Sequence, residues 1–416
     1  MSRLLHTSDW HLGRTLYRHP LEEDFDAVLA EIAGIARESE PDLIVHSGDL
    51  FDSSRPTSRE LMRAMRALDE LAAVAPTVVL AGNHDSPAYF EFLAYMSGPS
   101  RGRGLFFTDR LRAPDEGGVL TFDTCGGQQR IRLAVMPYVH PNRFWQPASV
   151  FGVTYADYAA AMRGVQAKLT AGLREGYDRD RDVLVFAAHV FVAGSKPSYS
   201  ERSVDIDAAY ATAAADLPAV SYTALGHIHA PQAVAGAPGT ARYAGSPLQL
   251  DFGEADETKS VVIVDADPGR PVRVRTQRLT SGRRLAKFEG TLEELRAMAP
   301  QYEGAFLKAV IVGEEPNPLL VGRVAEIVPK AILINAVPAV VAAPGAVVDA
   351  GTDEEPDLPE SLRAYMETKD LGESTVKAAV TAFTGLLAEV DHETPPPSPA
   401  EDMLQAALER TWTEAP

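Results

Sequence analysis

Over the first hundred residues short apolar runs alternate with helical patterns, and that alternation decides most of what the chain can fold into. Leu4-Leu5, Leu43-Ile44-Val45 and Val78-Val79-Leu80 read as strands. Between them lie predicted helices over Leu21–Glu38, with Phe25, Val28, Leu29 and Ile32 at helical spacing, and over Arg59–Val74. Strands joined by helices of this length run parallel, because the helix carries the chain back to its starting edge. Further strands are predicted at Ile131–Met136, Val183–Ala188, Tyr222–Leu225 and Val261–Val264. So many strands imply an α/β fold of two packed sheets flanked by helices.

After residue 280 the pattern changes. A strand-like Ala286–Phe288 leads into Thr291-x-x-Glu294, the sequence form of a capping box. A strand (Phe306–Val312), a helix (Leu319–Val328) and a strand (Ile332–Ile334) follow. The expected organisation is a main domain over residues 1–280, a small α/β domain over 281–348 and a helical segment over 349–416. The last begins with the acidic linker GTDEEPD. In it Val376, Val380, Phe383, Leu387 and Val390 recur every three or four residues, an apolar stripe on one helix. A proline-rich break at 395–399 precedes a final amphipathic stretch ending at Trp412.

A single cysteine, Cys125, excludes an internal disulfide and fits a reducing compartment. The opening MSRLLHTSDW lacks the apolar core of a secretory signal. The most apolar stretch, Ala331–Ala350, is interrupted by Asn335, Pro338 and Pro344, so no membrane span is expected. The expectation is a cytoplasmic protein. A net charge of −19 argues against a polyanionic substrate until its distribution is considered. Residues 351–416 carry 15 acidic and 4 basic side chains, a net of −11, which leaves −8 on residues 1–350. Bound divalent cations would offset part of that remainder, so charge neither supports nor excludes nucleic acid.

The chemistry lies where the strands end. The first strand runs into Asp9-Trp10-His11, the second into Gly48-Asp49-Leu50-Phe51-Asp52, the third into Gly82-Asn83-His84-Asp85. Later runs close on His189 and on Gly226-His227-Ile228-His229. In open α/β sheets ligands bind beyond the carboxyl ends of the strands. A spacing of i, i+2 in extended chain makes Asp9 with His11, and His227 with His229, pairs that point the same way. Glycines before Asp49, Asn83 and His227 permit tight turns and close backbone approach. Carboxylate, imidazole and amide oxygen together suit borderline divalent ions such as Mn²⁺, Fe²⁺ or Zn²⁺. Two ions with a shared carboxylate account for seven such groups. Each cluster alone is more commonly a cap or a surface group; all five in this order are not.

In this order the motifs DxH, GDxxD, GNH[DE], H and GHxH resemble those of the calcineurin-like metallophosphoesterases. The stretches HTSDWHLG (6–13), GDLFDSSRP (48–56), GNHDS (82–86), GHIH (226–229) and YAGSPLQLDFGE (243–254) are similar to the nucleases of that family that act in double-strand-break repair. The resemblance covers about residues 1–280 and implies a two-sheet sandwich that binds two divalent metal ions, Mn²⁺ foremost. It assigns Asp9, His11, Asp49 and His229 to one ion, and Asn83, His189, His227 and the shared Asp49 to the other. It leaves His84 facing the substrate, to protonate the leaving oxygen or stabilise its charge. Where the archaeal repair nucleases commonly carry a histidine, this chain has Asp52, as in phosphatases whose acidic residue orients the motif histidine. Asp52 is therefore expected to pair with His84. The Asp-Arg-Gly of protein phosphatases is absent, which argues against a phosphoprotein substrate.

The resemblance implies a nuclease acting on DNA ends and hairpins with a coiled-coil ATPase partner, which docks through residues 359–390. It also implies homodimerisation, through helices around 57–74 and 88–97; core burial is the alternative for the apolar run Tyr89–Met96. The small domain would cap the DNA. Arg14, Arg55, Arg101, Arg103 and Arg143 lie on loops near motif ends and are candidate phosphate contacts. Trp10 is expected to pack beneath the site, and His6 and His46 to be satisfied core histidines. Two rivals remain: a generic metallophosphatase or cyclic-nucleotide phosphodiesterase, and a non-catalytic DNA-end clamp.

Overall fold

The structure, a computed structural model, describes residues 1–97, 104–140, 150–152, 158–198, 200–201, 211–314 and 318–337. Strand β1 (Ser2–Thr7) is followed by a short hairpin, β2 (Thr15–Leu16) and β3 (His19–Pro20), and then by α1 (Glu22–Ser39). Next come β4 (Leu43–His46), α2 (Ser58–Ala72), β5 (Thr77–Leu80), α3 (Pro87–Ser97) and β6 (Leu105–Thr108). Then follow β7 (Val119–Thr124), β8 (Gln129–Met136), α4 (Tyr158–Arg174), β9 (Asp182–His189), β10 (Tyr222–Gly226), β11 (Gln232–Ala233) and β12 (Thr240–Tyr243). Strands β13 (Ser260–Ala266) and β14 (Arg273–Arg278) return to the first sheet.

Two six-stranded sheets result, ordered β14-β13-β1-β4-β5-β6 and β11-β12-β10-β9-β8-β7. Strands β1, β4, β5 and β6 are mutually parallel, as are β8, β9, β10 and β12. Alternation along each strand builds the layers. Leu4, Val45 and Val78 face inward against Leu133, Val135, Val185, Tyr222 and Ala224 of the second sheet. Their neighbours Leu5, Ile44 and Val79 face outward beneath α1 and α2. Ala134 and Phe186 likewise turn to α4 and its Met162, Val165 and Leu169. These central strands are buried on both faces, which is why LIVH and TVVL read as unbroken apolar runs.

Helix α1 buries Phe25, Val28, Leu29 and Ile32, places Glu22, Glu23 and Asp24 in its first turn, and stops at Glu40 in a left-handed conformation. Helix α2 starts from a capping box in which Thr57 and Glu60 satisfy each other's backbone N–H groups.

A smaller parallel sheet, β15 (Leu285–Gly290), β16 (Phe306–Val312) and β17 (Ala331–Val337), carries α5 (Leu292–Met298) and α6 (Pro318–Ile327). The Thr291–Glu294 capping box opens α5. Phe288, Leu295, Leu307, Ile311, Leu320 and Val324 form a core of its own. Arg283 joins it to the main body: its Nε donates to both Asp24 carboxylate oxygens at 2.9 Å, and its guanidinium lies 4.5 Å from the centre of the Phe306 ring. No helix among the described residues is long and apolar enough to cross a membrane. The stripe from Val376 to Val390, the 359–390 segment and the acidic linker lie outside the described residues.

Candidate metal centre

Parallel strands bring their carboxyl ends to one edge of each sheet, and all the expected ligands sit there. Asp9 follows β1, Asp49 follows β4 and Asn83 follows β5 in the first sheet; His189 ends β9 and His227 and His229 follow β10 in the second. The side chains of the expected ligands converge into two cation-competent groups, Asp9 with His11 and His229, and Asp49 with His189 and His227; His11, Asp52 and His84 make a third cluster of the same span, and in all three the ligand atoms lie within 4.8 Å of one another.

Asn83 Oδ1 completes the second group, 2.8 Å from His189 Nε2 and 3.0 Å from His227 Nδ1. Asp49 lies between the two: its Oδ2 is 3.6 Å from His11 Nε2 and 3.3 Å from His189 Nε2.

The backbone is bent to achieve this. Asp9 (φ 51°), His11 (φ 48°), Asp49 (φ 54°) and His227 (φ 107°) all occupy the left-handed region, at a cost of order 1–3 kcal/mol each. The i, i+2 reading of the histidine pair therefore fails. The turn at His227 sends its ring to the second group while His229 reaches the first, which only extended chain would have prevented. Gly82 answers a close approach: a Cβ there would stand 2.1 Å from Asp49 Oδ1.

The expected pairing of Asp52 with His84 is also corrected. His84 Nδ1 lies 2.8 Å from the Asp52 backbone carbonyl, so the ring donates to the main chain. The Asp52 carboxylate instead stands 3.3 Å from His11 Nδ1 and 3.3 Å from an Arg14 nitrogen. The cationic Arg14 and the His11 ring draw the carboxylate across, and the carbonyl left over is the acceptor nearest His84. The His84 backbone N–H donates to Asp49 Oδ1 at 2.8 Å, and the His84 ring packs edge-on to His11 with centres 4.7 Å apart. With Nδ1 engaged, Nε2 is the ring nitrogen not committed to the main chain.

Sequence reasoning misses several supports. Asp85 accepts the backbone N–H groups of Gly82, Leu50 and Phe51 at 2.8, 3.1 and 3.0 Å, stapling the third motif loop to the second. The His229 ring is backed by Ser200 and Glu254, and its backbone carbonyl by Lys259, none of which lies in a ligand motif. The stretch 243–254 belongs to the family pattern, yet nothing in it marks Glu254 as buried.

Charge balance follows from this packing. Burial pushes the Asp9 carboxyl up to about 6, partly offset by His189 and His229. Burial works the same way on Asp49, but His189, His84 and His11 outweigh it and hold Asp49 well below the usual carboxylate range. Burial opposes charge on His189 too; the Asp49 carboxylate overcomes it and raises the imidazole to about 9. Burial dominates at His11, lowered to about 4 despite Asp52.

Divalent ions fit these residues. Asp9 Oδ2 is buried and without a hydrogen-bond partner, and His11 Nε2 and His229 Nε2 face each other at 3.0 Å. Oxygen and imidazole nitrogen together are the donor set of borderline divalent cations. The two clusters accommodate two such ions.

Trp10 is fully buried and donates from Nε1 to Thr7 Oγ1 at 2.9 Å, packing beneath the site. His6 is satisfied in the core by the Tyr222 hydroxyl and Ser47 Oγ, at 2.9 and 2.8 Å. His46 is buried against the Trp10 ring; its Nδ1 accepts the Gly48 N–H at 3.4 Å, while its Nε2 has no partner. Arg14 lies at the rim, bound to Asp52, and Arg55 is exposed on the loop beyond it. Arg101, Arg103 and Arg143 lie outside the described residues.

A sandwich of two mixed sheets with this ligand constellation at the ends of its parallel strands defines a dimetal phosphoesterase, and residues 2–231 match the calcineurin-like phosphoesterase family. The chain belongs to that family. Within it, the chain is 34% identical over 298 residues to the D component of nuclease SbcCD from Bacillus subtilis, covering 69% of this chain and 72% of the relative. It is 27% identical over 314 residues to the corresponding SbcCD component of Escherichia coli K12, covering 72% and 74%. Among solved structures, TT1561 of Thermus thermophilus is similar at 14% identity, covering 66% of this chain and 98% of that one with a TM-score of 0.37.

Proposed function

We propose that this chain is a two-metal-dependent DNA nuclease, cutting phosphodiester bonds as an exonuclease and as a single-strand or hairpin endonuclease at DNA ends. The observation that carries the reading is the pair of cation-competent groups that meet at Asp49 with His84 alongside. The relatives' name, a component of a nuclease, supports a nucleic acid as the substrate class.

Asp9, His11, Asp49 and His229 would hold one ion, and Asp49, Asn83, His189 and His227 the other. Divalent ions held there would supply Lewis acidity toward a phosphoryl oxygen and would lower the pKa of a water toward neutrality. Mn²⁺ is the ion this reading favours. The chain's own residues do the rest. The Asp52 carbonyl holds the proton on His84 Nδ1 and turns Nε2 outward. From there His84 donates to the leaving oxygen or stabilises its charge, a contribution of about 10²–10⁴-fold. Asp85 keeps the two loops that carry Asp49 and His84 in register.

The same reading extends to the rest of the molecule. Residues 281–348 cap the DNA, and residues 359–390 dock an SbcC-type coiled-coil ATPase; the relatives' designation as one component of SbcCD supports a partner chain. Helices around 57–74 and 88–97 form a homodimer. In support, α3 buries Phe90 and Leu93 yet leaves Tyr95 70% and Phe92 54% exposed. Arg14 and Arg55 contact phosphate, and the site of action is the cytoplasm.

The test is Mn²⁺-dependent cleavage of an end-labelled DNA hairpin, run with wild type and His84→Ala beside a small aryl phosphodiester. Hairpin cleavage lost in the variant is the expected result. Turnover of the small ester alone would replace this reading with a generic phosphodiesterase.

A further inference from the structure

One histidine of the candidate metal centre is held differently from the rest. Apart from Nε2, each polar handle of His229 meets a side chain from outside the ligand motifs. Its backbone N–H donates to Glu201 Oε1 at 2.9 Å, and its backbone carbonyl accepts from Lys259 Nζ at 3.0 Å. Its ring Nδ1 lies 2.5 Å from Ser200 Oγ and 3.5 Å from Glu254 Oε1, and the Ser200 hydroxyl donates to the same Glu254 oxygen.

Glu254 and Lys259 are themselves buried, and 2.7 Å separates Oε2 from Nζ. The carboxylate also accepts the Leu250 N–H at 3.0 Å, and Lys259 bonds Ser246 Oγ and Glu257 at 2.9 and 2.7 Å. A buried ion pair stabilises little in its own right, because desolvation offsets the attraction. Placing one here does something else: Glu254 stands behind the ring nitrogen of His229 while Lys259 holds the carbonyl of the same residue. By contrast, His189 Nδ1 rests on a neutral acceptor, the Ser47 carbonyl at 3.0 Å.

We propose that Glu254 and Lys259, together with Ser200 and Glu201, form a clamp that positions His229 for cation binding. They are positioning residues, and none of them touches the ion or the substrate. Ser200 fixes Nδ1 so that Nε2 points at His11 Nε2, 3.0 Å away. Glu201 and Lys259 hold the main chain that carries the ring. Two separate segments are thereby tied to one ligand: the loop beyond β9 that supplies Ser200 and Glu201, and the turn at 252–254 with the start of β13. Partners of this kind behind a ligating histidine typically control about 10–100-fold in metal affinity.

The inference rests on the two-ion reading of the site, and the experiment separates the two. Full-length protein is stripped of metal and titrated with Mn²⁺ by calorimetry, with bound metal counted by elemental analysis and stability followed by urea denaturation. Wild type should take up two ions. In Ser200→Ala and Glu201→Gln, which alter a half-buried loop, and in Glu254→Gln, one uptake event should weaken by about 10–100-fold while the other keeps its affinity. Raising Mn²⁺ should refill the weakened site. Unchanged affinities in all three variants would overturn the clamp. So would both events weakening in parallel with a lowered urea midpoint, because that is what a purely structural role produces. Wild type that takes up no Mn²⁺ would overturn the two-ion reading itself, and the clamp with it.

Discussion

His84 leans on the backbone of Asp52 and not on its carboxylate: Nδ1 lies 2.8 Å from the carbonyl oxygen, while the carboxylate stands 3.3 Å from His11. The two ends of one residue thus serve two histidines. Asp52→Ala keeps the carbonyl, so His84 keeps its orientation, and the loss falls on His11 and Arg14. The expected outcome is Mn²⁺ affinity lowered about 10–100-fold, with cleavage recovered at high Mn²⁺. Cleavage that stays low when both sites are filled would show the carboxylate acting on His84 after all.

His84→Ala should retain both ions and lose about 10²–10⁴-fold in cleavage rate. Elemental analysis of the purified variant checks the first half and single-turnover cleavage the second. Loss of metal in that variant contradicts the role assigned to this histidine.

Gly82→Ala should empty the whole centre. The new methyl would stand 2.1 Å from Asp49 Oδ1, and Asp49 is the residue placed between the two groups. We expect both uptake events to fail together and overpacking to cost about 1–3 kcal/mol in stability. Retention of either ion at wild-type affinity would show that the loop can shift without moving the carboxylate.

Acid should destabilise the metal-free protein well before ordinary carboxylates titrate. Burial lowers His6 and His46 to about 3. Unfolded, each takes up a proton near 6.5; folded, each stays neutral until about 3. The unfolded chain therefore binds more protons across that window, and stability falls as pH drops through it, by up to about 1.4 kcal/mol per pH unit for each histidine. Asp9, raised to about 6, and Asp85, raised to about 7, run the other way below those values, while His11, lowered to about 4, adds to the decline. Urea midpoints measured in chelator from about pH 6 to about pH 4 should decline gently; a profile that rises toward acid would mean that the core histidines are charged.

Arg283→Ala should loosen the small sheet without touching the metal centre. It removes the guanidinium that joins Asp24 to the face of Phe306. Faster hydrogen exchange confined to β15–β17, with Mn²⁺ uptake unchanged, is the expected pattern. Uniform exchange throughout the chain would place the junction elsewhere.

What the sequence discloses and what it withholds follow from the same physics. Strands buried on both faces, such as LIVH and TVVL, announce themselves as apolar runs, and their polar ends then stand out as ligands. Two of the edge strands do not. β14, RVRTQR, is exposed at five of its six positions and makes no apolar run, and β7, at the edge of the other sheet, is similarly mixed. The Thr291–Glu294 box is legible because both partners lie within one turn. Thr57–Glu60 has the same form, and it starts α2 at Ser58, one residue ahead of the start that apolar spacing alone suggests. Asp52 defeats a reading by spacing because a side chain's choice between two neighbouring histidines depends on Arg14, which spacing does not encode. Glu254 and Lys259 are invisible for a related reason: a buried ion pair looks like two surface charges until the turn around it is folded.

The two groups built from the expected ligands each take residues from both sheets: Asp9 and His11 from the first with His229 from the second, and Asp49 from the first with His189 and His227 from the second. The apolar layer between the sheets, from Leu4 and Val45 across to Val185 and Tyr222, therefore acts as a spacer that sets how far apart the ligands stand. Any slip of one sheet along the other would open both groups at once. The centre is in this sense a strain gauge for the sandwich, and a side chain trimmed deep in that layer would register first as a change in how tightly the molecule grips metal.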